Sequence, residues 1–229
     1  MPTQILSTEN HAYRFLIPIS MLFIITLIAS ALAIHRTIQI GSFIEPGGIL
    51  IYPLTYFFSD IIAENYGYKI SHQILFYGLI FQFIFSIIMN LLLYIPATPS
   101  WHDQTAFEIV FKPLLLYSTM TSFGTLIGGH INIAAISRWK KLVQGRYFWI
   151  RSLTSSCIGE AVFTIIALPA IFIGTHNLHE TMKIVWDAYL FKLVYGVVAI
   201  IPSTILVSII KKIEGCDFYD HSIQYNPFK

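Results

Sequence analysis

Glu160 stands in a small and apolar run, "SSCIGEAVFTIIALPAIF". A charge inside a membrane span costs roughly 2.5–3.5 kcal/mol on insertion scales, so such a residue is a functional candidate by default. It lies nine residues past Arg151, about 13 Å along a helix and near a bilayer midplane, where carriers hold their solutes. It either accepts hydrogen bonds from a solute or is a protonated acid bonded across helices. Lys192, in "WDAYLFKLVYGVV", is the second charge. It can pair with Asp187, snorkel to the outer surface or sense an outer opening. Its backbone differs in depth from Glu160 by about 14 Å.

Asp60 and Glu64 are four residues apart in "IYPLTYFFSDIIAENYGYK", hence on one helix face. Carboxylates toward a helix C-terminus oppose its dipole, so a merely wet helix end explains two of them poorly. His130 and Asn132 follow Gly124 and Gly128 in "FGTLIGGHINIAAIS". The glycines form a small-xxx-small packing face, and the polar pair brings donors and acceptors without charge. Tyr52, Tyr56 and Phe57 add aromatic surface, and Pro53, Pro169 and Pro202 are points where helices bend.

The elements that must position these groups are membrane helices. The 229 residues are 55% hydrophobic and 11% charged, with mean hydropathy +0.68, against about 25% charged in soluble domains. The apolar runs predict six spans near 15–34, 48–66, 72–95, 112–136, 149–173 and 185–210, in one transmembrane domain over 1–229. They lack the period-two alternation of a barrel. Of 14 Lys and Arg, only Arg36, Lys112 and Lys183 fall in outer segments and Lys192 within a span. The rest, concentrated in "SRWKKLVQGRYFWIR", put both termini in the cytoplasm. Trp101, Trp139, Trp149 and Trp186 fall near span ends, as interfacial anchors do.

Several functions are disfavoured. Cys157 and Cys216 are too few and too far apart for a disulfide framework or a zinc site. No HExxH, GxSxG or nucleotide-binding loop is present. The expectation is therefore a non-enzyme with no catalytic residues, no cofactor and no metal. The net charge of +2 gives no nucleic-acid surface. A carrier for a small polar solute fits best, with membrane lipid as its surroundings and assembly into a homo-oligomer left open. Carboxylates with aromatics suit a planar solute bearing ring N–H donors.

The stretch "YPLTYFFSDIIAENYG" resembles the YPxTFxxSDxxxExYG signature of the VUT family of queuosine precursor transporters. Later landmarks keep the family order: "GGHINI", the basic loop, "GEAVFTIIALPAIFIG" where the family has a pattern like DTxxFxxIAFxG, and "YLFK" with a later proline. The resemblance spans about residues 13–215. It implies an inner-membrane, multi-pass importer of 7-cyano-7-deazaguanine, its aminomethyl derivative or queuine. Its matched positions are Tyr52, Pro53, Thr55, Ser59, Asp60, Glu64, Tyr66, Gly67, Asn132, Glu160 and Lys192. Asn132 and Glu160 stand where the family commonly has aspartate. On this resemblance Glu160 accepts from the guanine-like N–H groups, while Asn132 and His130 read the opposite edge. Tyr52, Tyr56 or Phe57 pack on the ring, and Lys192 supports the site electrostatically. Asp60 and Glu64 line the exit or bind an amine. The rival is the membrane component of an energy-coupling vitamin transporter, of similar length and helix number.

Overall fold

The computed structural model describes residues 13–41, 43–172, 177–215 and 217–219. Cys216 and Lys229 lie outside the described residues. The helices are α1 (Leu16–Ala33), α2 (Pro53–Leu92), α3 (Gln104–Phe111), α4 (Leu114–Leu142), α5 (Phe148–Phe172) and α6 (Leu178–Glu214). Between α1 and α2 lie an antiparallel hairpin, β1 (Thr37–Ile40) and β2 (Phe43–Pro46), and a 3-10 turn at Gly47–Leu50.

Among the described residues, four segments are long and apolar enough to cross a membrane: Leu16–Ala33, Gly47–Leu92, Phe148–Phe172 and Leu178–Glu214. Their outward positions are apolar, as Ile17, Met21 and Ile25 on α1 and Val194, Val198 and Ile201 on α6 show. Such a surface suits lipid, where a helix satisfies its own backbone groups. α4 is not among the four. Ser118, Thr121, Thr125 and Asn132 lower its hydropathy, and all are buried. Its polarity faces the bundle, where partners exist.

The spans expected at 48–66 and 72–95 have no loop between them. α2 is continuous except at Gly67, where φ is 85° and ψ 175°. This conformation is closed to side-chain-bearing residues and open to glycine. Contacts with α4 show that the chain turns back there. Before Gly67, Tyr52 meets Thr125 and Asp60 meets Asn132, so both helices ascend in number together. After it, Tyr68 meets His130, Gln82 meets Thr121 and Ser86 meets Ser118, so the numbers run oppositely. One residue thus makes two antiparallel arms, 53–66 and 68–92.

Other differences are local. α4 and α6 extend past the expected 112–136 and 185–210. α6 starts at a capping box in which Asn177 accepts from the Glu180 backbone and Glu180 accepts from the Asn177 backbone. The loop expected after the third span contains α3. The hairpin at 37–46 stands where only a loop was expected.

α4 and α5 pack closely because glycines meet. A Cβ on Gly159 would lie 2.7 Å from the Gly128 carbonyl oxygen, and one on Gly128 would strike the Gly159 carbonyl. The backbone N–H of Phe15 donates to Glu214 Oε1 at 2.8 Å. The start of α1 and the end of α6 therefore lie at one end of the bundle, which also carries Lys140, Arg151 and Lys211. The hairpin follows α1 at the other end.

Candidate functional site

The first arm of α2, α5 and α6 enclose a cleft. Pro53, Tyr56, Phe57 and Asp60 form one wall, Ser152, Ser156 and Glu160 the second, and Tyr195, Gly196 and Ser203 the third. Its free volume is about 30 Å³, room for one or two water molecules.

Asp60, 1% exposed, sits where α2, α4 and α5 meet. Its Oδ1 accepts from Asn132 Nδ2 at 2.6 Å, and its Oδ2 accepts from Ser152 Oγ at 2.5 Å and Ser156 Oγ at 2.8 Å. Three donors from two helices stabilise a carboxylate that burial would otherwise penalise. Glu160 contrasts with it. The side chain is 5% exposed and lines the cleft, yet no described residue donates a hydrogen bond to its carboxylate. Two charges act on it, Lys192 attracting and Asp60 repelling. It is an acceptor facing the cleft with unused lone pairs.

Lys192 is buried and its Nζ donates to Thr164 Oγ1 at 2.9 Å, one helical turn beyond Glu160. The ammonium lies 4.3 Å from the Phe163 ring centroid and 4.9 Å from that of Tyr52, within range of cation–π attraction. It neither snorkels nor forms an ion pair with Asp187. The long side chain takes up the depth difference that separates its backbone from Glu160. Tyr52 stacks on Phe163, with centroids 3.8 Å apart, and its hydroxyl shares a 3.0 Å hydrogen bond with Thr125. That stack lies between the cleft and a second cavity of about 40 Å³ on the hairpin side, lined by Ser30, Pro46, Ile49 and Lys192.

Two expected site residues lie elsewhere. His130 faces the second arm of α2, where its Nδ1 is 3.4 Å from the Tyr68 hydroxyl and its ring meets His72. Glu64 lies at the basic end and has no exposed side-chain surface. Arg151 binds it through two nitrogens at 2.8 and 3.2 Å, and Lys211 donates at 2.6 Å. Lys140, 3.9 Å away, turns instead to the Glu64 carbonyl, Asp217 and the Phe218 carbonyl. Glu64 thus joins α2, α5 and α6 and retains little capacity for a further ligand. The frayed, wet helix end considered for it and Asp60 is absent, since both are buried.

Sequence reasoning missed Ser156, Tyr195, Phe163 and Thr164. A signal existed for the first. Ser152, Ser156 and Glu160 recur every four residues and so share a face. Glu45, buried on β2 with Oε2 lacking a hydrogen-bond partner among the described residues, was also missed. Nothing local predicts that a hairpin carboxylate is buried.

Long apolar helices packed around an inward-facing polar cleft define a polytopic helical membrane protein. The family described as "Putative vitamin uptake transporter" matches residues 46–207, and the chain belongs to that family. The match takes in every cleft residue named above and Lys192. Neither the curated proteins nor the solved structures contain a match to the chain.

Proposed function

We propose that this chain imports queuosine precursors, bicyclic 7-deazaguanines, across the inner membrane. In this reading it is one transmembrane domain that spans six times. The two arms of α2 each cross, α4 crosses within the bundle, and the termini share the cytoplasmic side with the basic cluster. The observation that carries the proposal is Glu160, a buried carboxylate turned to a cleft and lacking a donor among the described residues. A guanine-like edge offers two N–H groups in parallel, and a carboxylate accepts both. Tyr56 and Phe57 supply faces for the ring. Asn132 acts through Asp60, and Lys192 holds positive charge beside Glu160.

The cleft as it stands is too narrow for a bicyclic solute, so loading requires α6 to part from α2 and α5. α6 has Pro202 within it and Gly196 on the cleft wall, where a helix can bend or slide. At the basic end, the contacts of Glu64 with Arg151 and Lys211 close the way out.

Purified protein in liposomes, offered a panel of 7-deazaguanines, tests the proposal. Saturable binding and uptake of at least one, competed by others and lost in Glu160→Gln, supports it. Binding of none of them refutes the assignment. A requirement for a co-purifying ATPase would favour an energy-coupling component.

A further inference from the structure

The hairpin places Glu45 at the end of the bundle opposite the basic cluster. It pairs with Ile38 in the β1–β2 ladder and its side chain is 4% exposed. Its Oε2 has no hydrogen-bond partner among the described residues. Burying an unpaired carboxylate is costly unless it is neutralised or finds a cation. Two charges on α6 act on it, Asp187 repelling and Lys192 attracting. His35 and Arg36 stand just past the end of α1; His35 packs on Tyr117 of α4, and the Arg36 carbonyl accepts from the Gly47 N–H. β1 and the 3-10 turn contribute no ionisable side chain.

The cation that Glu45 feels is the one that Glu160 also feels. Lys192 is thus shared by two buried carboxylates, one on the hairpin and one in the cleft; it lines a cavity with Pro46, next to Glu45, and among the described residues its ammonium donates to Thr164. Neutralising Glu45 leaves the whole of that positive charge to Glu160. Ionising it draws the ammonium toward the hairpin. Burial pushes the Glu45 carboxyl up to about 7, Asp187 adds to the rise and Lys192 opposes it. The group therefore changes charge near neutrality.

We propose that Glu45 is the proton-binding residue that couples transport to a pH gradient, acting on the cleft through Lys192. This rests on the transport reading given above. A proton taken up from the hairpin side travels with the solute and is released on the opposite side, one taken up and one given off per cycle. Glu45 is a positioning residue, because it reaches the solute only through Lys192.

The test compares wild type with Glu45→Gln, which keeps the shape and removes the titration. The probe is labelled 7-cyano-7-deazaguanine, which lacks the basic aminomethyl group, so the gradient does not act on the charge of the solute itself. In liposomes with an acid exterior, one pH unit supports up to about tenfold accumulation at one proton per solute. Wild type accumulates the probe. Glu45→Gln only equilibrates it, yet still exchanges labelled for unlabelled solute. Infrared spectra of the reconstituted protein without solute, taken as wild type minus Glu45→Gln, show a protonated-carboxyl band that titrates near neutrality. Gradient-driven accumulation by Glu45→Gln equal to wild type, or absence of that band from the difference, overturns the inference. Failure of wild type to bind any deazaguanine refutes the transport reading instead, and the infrared titration then decides on Glu45 alone.

Discussion

Glu64→Gln and Glu160→Gln make the same chemical change to two buried carboxylates and have opposite consequences. Glu64 has no exposed side-chain surface, and Arg151 beside it has 3%. Arg151 grips both carboxylate oxygens and Lys211 holds one of them at 2.6 Å. An amide carries no charge to balance the buried Arg151 and the partly exposed Lys211, and turns an N–H₂ toward one of them. Removing one partner of a buried ion pair costs about 3–5 kcal/mol. For a chain of this size each kcal/mol lowers Tm by about 2–4 °C, so Glu64→Gln loses roughly 6–20 °C. The Glu160 carboxylate accepts no hydrogen bond from a described residue and feels Lys192 without a direct ion pair, so its amide variant loses far less Tm than Glu64→Gln. On the proposed function, what Glu160→Gln loses is charge-assisted hydrogen bonding to solute, about 1.5–3 kcal/mol, which weakens Kd roughly 10- to 150-fold. Thermal unfolding of the detergent-purified proteins and titration with 7-deazaguanines read both quantities. The reasoning fails if Glu64→Gln keeps its Tm and loses affinity, because Glu64 then holds solute rather than the helices.

Three further outcomes follow from the geometry. If the chain imports queuosine precursors as proposed, Glu160→Gln abolishes queuosine in the tRNA of cells that depend on imported precursor while membrane levels of the protein stay normal; wild-type queuosine would remove Glu160 from the site. Gly128→Ala drives a methyl into the Gly159 carbonyl and destabilises by about 1–3 kcal/mol. Gly196→Ala, whose nearest neighbour would be 3.6 Å away, changes Tm little, and equal losses from the two would contradict the close α4–α5 contact. The third concerns the C-terminal segment that Asp217 ties to Lys140 and Lys211. Burial raises the Asp217 carboxyl, but hydrogen bonds and charge from the two lysines together outweigh it and hold it below its usual 3.8. The stabilisation is thus fully present above the ordinary carboxylate range and is lost as pH falls through the lowered value. The difference in Tm between wild type and Asp217→Asn should shrink on acidification through that window, and a constant difference would refute the ion pairs.

Lipid as the solvent, the helices and the carboxylates and aromatics of the cleft are legible in the amino-acid sequence alone. Apolar runs of about 20 residues admit few alternatives in lipid. A carboxylate such as Glu160 is conspicuous there because the medium penalises it. The glycines at 124 and 128 marked a close helix contact before its partner was known. What the sequence could not convey was which polar groups meet. Asp60 and Glu64 share a helix face, yet one turn of rise carries Asp60 to Asn132 and two serines and Glu64 to Arg151 and Lys211. Arg151, Lys140 and Lys211 read as solvated topology signals because local sequence does not record burial. Gly67 gave no sign that a single backbone conformation would replace a loop. Lys192 and Glu160 seemed too far apart in depth, until a flexible side chain reaching to Thr164 shortened the gap. Each of these depends on contacts between residues distant in the chain, and only the packed helices bring them together.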